Sequence, residues 1–257
     1  MTSRWHPYFL VFAAALTPAV IHAQCRATSA DHAVAVIELY TSEGCDSCPP
    51  ADRWFSGLKL GGDAAVALAF HVDYWDRLGW RDRFGSAAFT QRQYEQSRRG
   101  HGEFVYTPQV LLQGRDFRSW QRDAQPSAAI ARINAKPARA TIELAVDGAD
   151  RNTIAVDVSV RVPEARDRAN AAVVVALTQD SLSSDVKAGE NAGKRLSHDH
   201  VVRAWQPDLA LGAGGELRRT FRFVRPDDRG PLAIIALAED SRTGDVLQAV
   251  SLPVCAP

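Results

Sequence analysis

The feature that most constrains this sequence is a pair of cysteines, Cys45 and Cys48, set between a short apolar run and two prolines. Residues 33–40 are β-branched and almost continuously apolar, which predicts a strand buried on both faces, as in a parallel sheet covered by helices. Pro49 and Pro50 suit the first turn of a helix, where the missing N–H groups have no partner to lose. The cysteines therefore occupy a loop between a buried strand and a helix that begins near residue 47 or 48.

The rest of the first half alternates strands and helices. Ser86 is placed to cap a helix and Gly100 to end it, and a Thr-Pro pair leads into a later apolar run. The expected elements, in order, are strand 64–72, helix 87–96, strand 105–112, strand 115–118 and helix 126–135. This order predicts an α/β arrangement.

The arrangement resembles the thioredoxin fold, in which a redox-active two-cysteine loop joins the first strand to the first helix. In that fold a Thr-Pro with a cis peptide bond enters a core strand and faces the cysteines. The matching residues here are Cys45, Cys48, Thr107 and Pro108. The resemblance implies a cis bond before Pro108, which would leave the backbone of Thr107 free to pair with a partner peptide; the alternative is an ordinary trans proline at a strand start.

A closer resemblance covers nearly the whole chain after its first residues. Residues 38–52, 71–76 and 106–110 resemble a family of secreted bacterial proteins that carry a domain of unknown function with a thioredoxin-like half. This resemblance implies a fold and a location in the bacterial envelope, but it implies no established reaction.

The two cysteines predict a dithiol–disulfide couple. We expect Cys45 to attack as the thiolate, because it lies ahead of a helix N-terminus and nearer to solvent, and Cys48 to resolve the mixed disulfide. Asp46 opposes this activation, since a neighbouring carboxylate raises the pKa of a thiol. Glu38 lies near the place from which a buried strand acid relays a proton in thioredoxin-like proteins. The alternatives are a permanently oxidised structural clip for the cysteines and a partly exposed position for Glu38.

Polar and aromatic side chains follow the second strand, at the sheet edge where the cysteine loop is expected. His71, Asp73, Tyr74 and Trp75 are therefore candidates to bind a substrate, or to join the cysteines in holding copper(I) or zinc. A histidine at a strand end is more often a hydrogen-bonded structural residue, and the spacing alone does not support a metal. No cofactor is predicted.

The first residues have the layout of an exported protein. Residues 1–23 resemble a secretory signal peptide, with an apolar core too short for a comfortable membrane span; the alternative is an uncleaved anchor. Disulfides persist in the oxidising compartments that exported proteins reach. Four cysteines allow three pairings, of which we predict Cys45 with Cys48 and a structural bridge between Cys25 and Cys255. The alternative for the second pair is two unpaired, weakly ordered terminal thiols.

The second half, from residue 138, changes to short alternating strands separated by turn residues, which predicts a β-sandwich. His198 and His200 are expected to share one strand face in a polar insert. Two histidines without a third ligand are weak evidence for a metal site, so a solvated strand face is the simpler interpretation. The predicted strands are residues 140–146, 153–162, 171–178, 201–205, 217–224, 232–238 and 246–252.

The fold prediction is an α/β thioredoxin-like domain over residues 24–137, followed by an all-β sandwich-like domain over residues 138–257. Lys plus Arg and Asp plus Glu both number 30, and this zero net charge gives no support for binding to nucleic acid or an anionic membrane. We expect a periplasmic or secreted monomer that acts as a thiol–disulfide oxidoreductase on protein thiols and disulfides of the cell envelope. The alternative is a non-catalytic binding or copper- or zinc-handling module with a structural Cys45–Cys48 disulfide.

Overall fold

The described part of the chain excludes the predicted signal peptide, residues 1–23. Within the described residues no helix is long and apolar enough to cross a membrane. The computed structural model describes residues 24–61, 63–102, 104–123, 125–147, 150 and 152–255.

Strands dominate these residues. The helices are α1 (Pro49–Ser56), α2 (Ala87–Arg99), α3 (Ser127–Asn134) and α4 (Ala165–Arg168), with short 3-10 helices at Asp76–Leu78 and Arg118–Gln121. The strands are β1 (Gln24–Thr28), β2 (Ala35–Thr41), β3 (Ala65–His71), β4 (Gln109–Leu112), β5 (Arg115–Asp116), β6 (Thr141–Asp147), β7 (Thr153–Arg161), β8 (Ala171–Gln179), β9 (Leu182–Asp185), β10 (Arg195–His198), β11 (Val201–Ala210), β12 (Glu216–Val224), β13 (Leu232–Asp240) and β14 (Val246–Pro253).

Most of these strands join one mixed sheet of eight, in the order β14-β13-β8-β11-β3-β2-β4-β5. The strand β2 runs parallel to β3 and antiparallel to β4, and β11 runs parallel to β3 through the pairing of Val201 with Ala69. A second, antiparallel sheet has the order β1-β6-β7-β12, and β9 and β10 form a two-stranded ribbon. The large sheet therefore contains strands from both halves of the chain.

The predicted fold class, an α/β thioredoxin-like domain followed by an all-β sandwich-like domain, is wrong. The pairing of β11 with β3 carries the large sheet from one predicted half into the other, and the amide of Ala69 donates to the carbonyl of His200 at 2.8 Å. The N-terminal strand β1 also pairs with β6 of the second half. Pairing between distant strands leaves no local signal in the sequence, whereas the individual strands and helices do. The boundary between residues 137 and 138 stays a prediction.

The alternation of side chains along the strands divides the core between the two faces of the large sheet. On one face, Ile37 and Leu39 of β2 pack with Phe55 of α1 and with the partly buried Ile130 of α3. The four-stranded sheet covers the same face further along, over β8, β13 and β14. On the opposite face, Tyr40 and other residues of β2, β3, β8 and β13 pack with α2.

A buried ion-pair network links α2 to strands of both halves on this second face. The guanidinium of Arg92 donates to both carboxylate oxygens of Glu38, at 2.7 and 3.1 Å, and to Glu239 of β13 at 3.1 Å. The hydroxyl of Tyr40 donates to Glu38 at 2.6 Å, and the guanidinium carbon of Arg92 lies 4.7 Å from the ring centroid of Trp205. These side chains complete each other's hydrogen bonds away from water.

The first and last described strands lie at edges of the two sheets. Cys25 lies on β1, an edge strand of the four-stranded sheet, and Cys255 follows β14, an edge strand of the large sheet. Their disulfide has a Cα–Cα distance of 6.1 Å and joins residues 230 apart in the sequence. This is the predicted structural bridge, and it connects the two sheets.

We expect the free energy of unfolding of the double variant Cys25→Ala and Cys255→Ala to be about 2–4 kcal/mol lower than that of the parent, because the bridge restricts a long segment of the unfolded chain. Urea denaturation of both proteins under non-reducing conditions measures the difference. The matched control is Cys45→Ala with Cys48→Ala, whose bridge spans a sequence separation of only 3 and so restricts the unfolded chain less. Equal losses in the two double variants would contradict the explanation by chain entropy.

Candidate functional site

The two central cysteines lie where the structure passes from β2 into α1. Cys45 and Cys48 form the predicted disulfide, with a Cα–Cα distance of 5.4 Å. Cys48 occupies the N-cap of α1 and no side chain caps the helix; Pro49 and Pro50 fill its first turn, as the sequence predicted. The amide of Cys48 donates to the carbonyl of Cys45 at 3.2 Å, and this tight turn brings the two side chains together.

Hydroxyl groups surround the sulfur of Cys45. Thr107 Oγ1 donates to Cys45 Sγ at 3.4 Å, and Ser47 Oγ lies 3.4 Å from the same sulfur. The indole Nε1 of Trp75 donates to Thr107 Oγ1 at 2.7 Å, which leaves the threonine hydroxyl hydrogen free to point at sulfur. The peptide bond between Thr107 and Pro108 is cis. The structure therefore brings the predicted residues Trp75, Thr107 and Pro108 together with the cysteines.

The close approach of Trp75 favours glycine at position 44. A Cβ atom there would lie 3.0 Å from Cβ of Trp75, which is tighter than most Cβ contacts in proteins. The amide of Gly44 also donates to Ser42 Oγ at 3.1 Å. A larger side chain before Cys45 would thus displace the tryptophan that positions Thr107.

Both cysteines are fully buried, with 0% exposure, so the expectation that Cys45 is nearer to solvent is wrong for this oxidised state. Asp46 and Ser47, between them, are exposed. The segment that joins β9 to β10 contacts the loop through hydrogen bonds to the backbone of Glu43, Cys45 and Asp46. This contact leaves no local signal in the sequence, because its residues lie more than 140 positions further along the chain.

A buried polar cluster lies beside the cysteine loop on the α1 face of the sheet. Thr41 and His71 pair with each other at the ends of β2 and β3, and Asp52 reaches them from α1, one turn after Cys48. Thr41 Oγ1 donates to Asp52 Oδ1 at 2.8 Å, and His71 Nδ1 lies 2.7 Å from Asp82 Oδ2. The second-strand histidine is therefore an internal residue of this cluster rather than a surface ligand for substrate.

His198 completes the cluster from β10. Its Nε2 lies 3.4 Å from Glu43 Oε1 and its Nδ1 lies 4.0 Å from Asp52 Oδ2, while its ring packs edge-on against His71 with centroids 4.8 Å apart. The gap between Asp52, His71 and His198 is too small for water. Five buried polar atoms there have no hydrogen-bond partner: Glu43 Oε1, Asp52 Oδ2, His71 Nε2, His198 Nδ1 and His198 Nε2.

The charges of this cluster depend on one another. Burial alone would lower the pKa of His71, but the carboxylate of Asp82 outweighs burial and raises that pKa above its usual value. Burial would raise the pKa of Asp82, and His71 reverses this shift and lowers it. Burial would likewise raise the pKa of Glu43, but the adjacent His198 ring and the hydrogen bond from Trp80 lower it. Burial raises the pKa of Asp52, which favours its protonated form.

Three other predicted site residues have structural partners elsewhere. Glu38 faces the opposite side of the sheet from α1, because it alternates with Leu39 and shares the face of Tyr40, where it pairs with Arg92. The interpretation of Glu38 as a proton relay to Cys48 is therefore wrong. Asp73 accepts from Thr90 Oγ1 of α2 at 2.6 Å, and the hydroxyl of Tyr74 donates to Gln93 at 3.3 Å.

A metal centre was the alternative use of these side chains. Among the residues that the structure describes, no three histidine, cysteine, aspartate or glutamate side chains are arranged to hold a metal ion. His198 is buried in the cluster, whereas His200 is half-buried in the turn before β11, so the two histidines do not share a strand face.

Comparison with known proteins identifies the family. The family model described as a protein of unknown function, DUF1223, matches residues 36–235, which include the cysteine loop, the cluster and the strands of both halves. The chain belongs to the DUF1223 family. No curated protein matches the chain.

Two solved structures resemble this DUF1223 chain over most of its length. A crystal structure of a protein from Agrobacterium tumefaciens, a structural-genomics target, is 28% identical with a TM-score of 0.56 and covers 87% of this chain and 96% of its own. The structure of HBP35 of Porphyromonas gingivalis is 13% identical with a TM-score of 0.64 and covers 89% of this chain and 78% of its own. The second likeness concerns the fold alone.

Proposed function

We propose that the protein is a thiol–disulfide oxidoreductase that acts on protein partners of the bacterial cell envelope through Cys45 and Cys48. The observation that carries the proposal is the position of their disulfide at the N-terminus of α1, with the hydroxyls of Thr107 and Ser47 next to the sulfur of Cys45. Both hydroxyls and the helix N-terminus stabilise a thiolate there. Two disulfides in one chain fit an oxidising compartment.

The reaction transfers two electrons and two protons from a dithiol to a disulfide. A thiolate of a reduced partner attacks Cys45 Sγ, the bond between Cys45 and Cys48 breaks, and Cys48 leaves as a thiolate that takes up a proton. A second thiolate of the partner then attacks the partner's own sulfur in the mixed disulfide, and Cys45 leaves and is protonated. The partner is oxidised to a disulfide and this protein is reduced. The reverse sequence oxidises this protein and reduces a partner disulfide.

Redox titration tests this proposal directly. The protein is equilibrated in buffers of oxidised and reduced dithiothreitol or glutathione, its free thiols are alkylated, and the labelled cysteines are mapped by mass spectrometry. We expect the Cys45–Cys48 pair to titrate between about −120 and −300 mV, the range from exchange catalysts to structural bonds. The Cys25–Cys255 bridge is an internal control that should stay oxidised. A Cys45–Cys48 bond that resists reduction throughout this range would contradict the proposal.

Trapping experiments identify the partner. In Cys48→Ala the resolving thiol is absent, so Cys45 should accumulate mixed disulfides with envelope proteins. The matched control, Cys45→Ala with Cys48→Ala, should accumulate none of these adducts. Adducts of equal amount in the two variants would have to come from another cysteine and would count against Cys45 as the nucleophile.

A further inference from the structure

The segment between β9 and β10, residues 186–194, is held directly on the cysteine loop. Asn191 is fully buried although it lies in a connecting segment. Its side-chain amide donates to the carbonyl of Glu43 at 2.9 Å and to the carbonyl of Cys45 at 2.8 Å. At the rim, the amide of Asp46 donates to Glu190 Oε2 at 3.1 Å. The side chain of Asn191 thus bonds to two carbonyl groups of the cysteine loop, and Glu190 adds one bond at its rim.

Internal hydrogen bonds close this segment into a compact loop. The amide of Gly193 donates to the carbonyl of Val186 at 2.9 Å, and the amide of Val186 donates to the carbonyl of Lys194 at 2.9 Å. Lys194 Nζ also donates to Asn191 Oδ1 at 2.8 Å and orients the amide toward the cysteine loop. A compact loop with close ends can leave a surface as one unit without unfolding the strands that carry it.

Because Cys45 is buried, it can undergo thiol–disulfide exchange only after a residue or segment next to it moves. A partner sulfur must contact Cys45 Sγ to break the disulfide, and access is one of the factors that set the rate of exchange. Trp75 and Thr107, which flank the sulfur, are half-buried, and Trp75 packs against the hydrophobic core beside α2. Residues 186–194 bury Val186 at their start, and hydrogen bonds through Asn191 and Glu190 join the rest of the segment to the cysteine loop.

We propose that residues 186–194 form a cover that shields Cys45 from small thiols and leaves when a partner binds, with Asn191 as the side chain that holds it closed. This inference rests on the proposed exchange activity and adds the residue that governs its selectivity. The amide is suited to this role because it satisfies two carbonyl groups of the cysteine loop at once. Once the cover leaves, those carbonyls can accept hydrogen bonds from O–H groups of water or from N–H groups of a partner backbone.

The test measures how fast dithiothreitol reduces the Cys45–Cys48 bond. In Asn191→Asp the side chain keeps its shape, loses both donors and places a carboxylate against two carbonyl oxygens. We expect reduction at least about tenfold faster than in the wild type, because two hydrogen bonds no longer favour the closed cover. Samples are quenched with maleimide at intervals and analysed by mass spectrometry.

The matched control is Asn134→Asp on α3. Asn134 also donates its amide to a backbone carbonyl, that of Ala64, at 2.9 Å, but it contacts neither the cysteine loop nor the cover. The rate of reduction should therefore equal that of the wild type. If Asn191→Asp fails to fold, Lys194→Met serves instead, since Lys194 is exposed; weaker orientation of Asn191 should increase the rate by about two- to fivefold.

Hydrogen exchange gives a second readout that does not depend on chemistry at sulfur. In Asn191→Asp, amides of residues 186–194 should exchange faster than in the wild type, while β9 and β10 keep their protection. Equal rates of reduction and of exchange in the wild type and Asn191→Asp would overturn the cover but leave the exchange proposal intact. A Cys45–Cys48 bond that stays oxidised in both proteins across the titration range would instead remove the exchange proposal itself.

Discussion

Arg92→Met is expected to lower the free energy of unfolding by about 5 kcal/mol, the largest effect of any single substitution considered. Arg92 is buried and shares its guanidinium between the carboxylates of Glu38 and Glu239. Without it, the carboxylate of Glu38 remains in the core with no other cation paired to it among the described residues, and the hydroxyl of Tyr40 donates to an uncompensated anion. Glu239 keeps its ion pair with Arg99 at 3.1 Å. Urea denaturation monitored by circular dichroism measures the loss.

An exposed ion pair on the surface provides the control for this prediction. Arg118 pairs with Asp116 at 2.9 Å, but its side chain is 70% exposed, so Arg118→Met should cost less than about 1 kcal/mol. Adding Glu38→Gln to Arg92→Met should recover much of the loss, because the carboxylate left without a cation is then removed as well. A loss below about 1 kcal/mol for Arg92→Met alone would show that the network is not a main source of stability.

Asp82→Asn is expected to lower the free energy of unfolding by about 4 kcal/mol near pH 5.5, because it leaves a buried imidazolium without its carboxylate. Asp82 Oδ2 lies 2.7 Å from His71 Nδ1 and also accepts from the amide of Glu43. The loss therefore acts on the cysteine loop as well as on the end of β3. Asp245→Asn is the control, since its pair with Arg115 is half exposed on both sides.

The effect of Asp82→Asn should depend on pH in a direction fixed by the two pKa shifts. The raised pKa of His71 contributes stability that is complete below about pH 6.5 and is lost as the pH rises through the folded pKa. The lowered pKa of Asp82 contributes stability that is present above about pH 4 and is lost as the pH falls through the folded pKa. Both contributions are therefore complete between about pH 4 and pH 6.5.

The measurement compares wild type and variant at several pH values. Glu43 and Asp52 also face His71 and further raise its pKa, and His198 packs against its ring. The difference in unfolding free energy between wild type and Asp82→Asn should be larger near pH 5.5 than near pH 8.5. A difference that is independent of pH would mean that Asp82 acts through its backbone hydrogen bonds alone.

Local features of the sequence predicted the elements well. Apolar runs gave β2 and β3, polar–apolar alternation gave β7, and Ser86 and Gly100 cap α2 as expected. Both disulfides were also predicted, because the spacing of the four cysteines favours one pairing. Each of these signals depends on residues close together in the sequence or, for the disulfides, on the number and spacing of the cysteines.

The assembly of those elements could not be predicted in the same way. The pairing of β11 with β3 joins residues more than 130 positions apart, and β9 and β10 are too short and too polar to read as strands. For the same reason His198 and Asn191 were not assigned to the cysteine site, although both touch it. Asp52, four residues after Cys48 on one helix face, carried a local signal that was overlooked.

The pairing of β11 with β3 also limits how this chain can be divided. A fragment ending near residue 137 would lack β11, so the amide of Ala69, which now donates to the carbonyl of His200, and this edge of β3 would face solvent. Unpaired edges of apolar strands recruit other strands, including those of further copies of the same chain. We therefore expect such a fragment to self-associate more readily than the full chain, in which β11 covers this edge of β3.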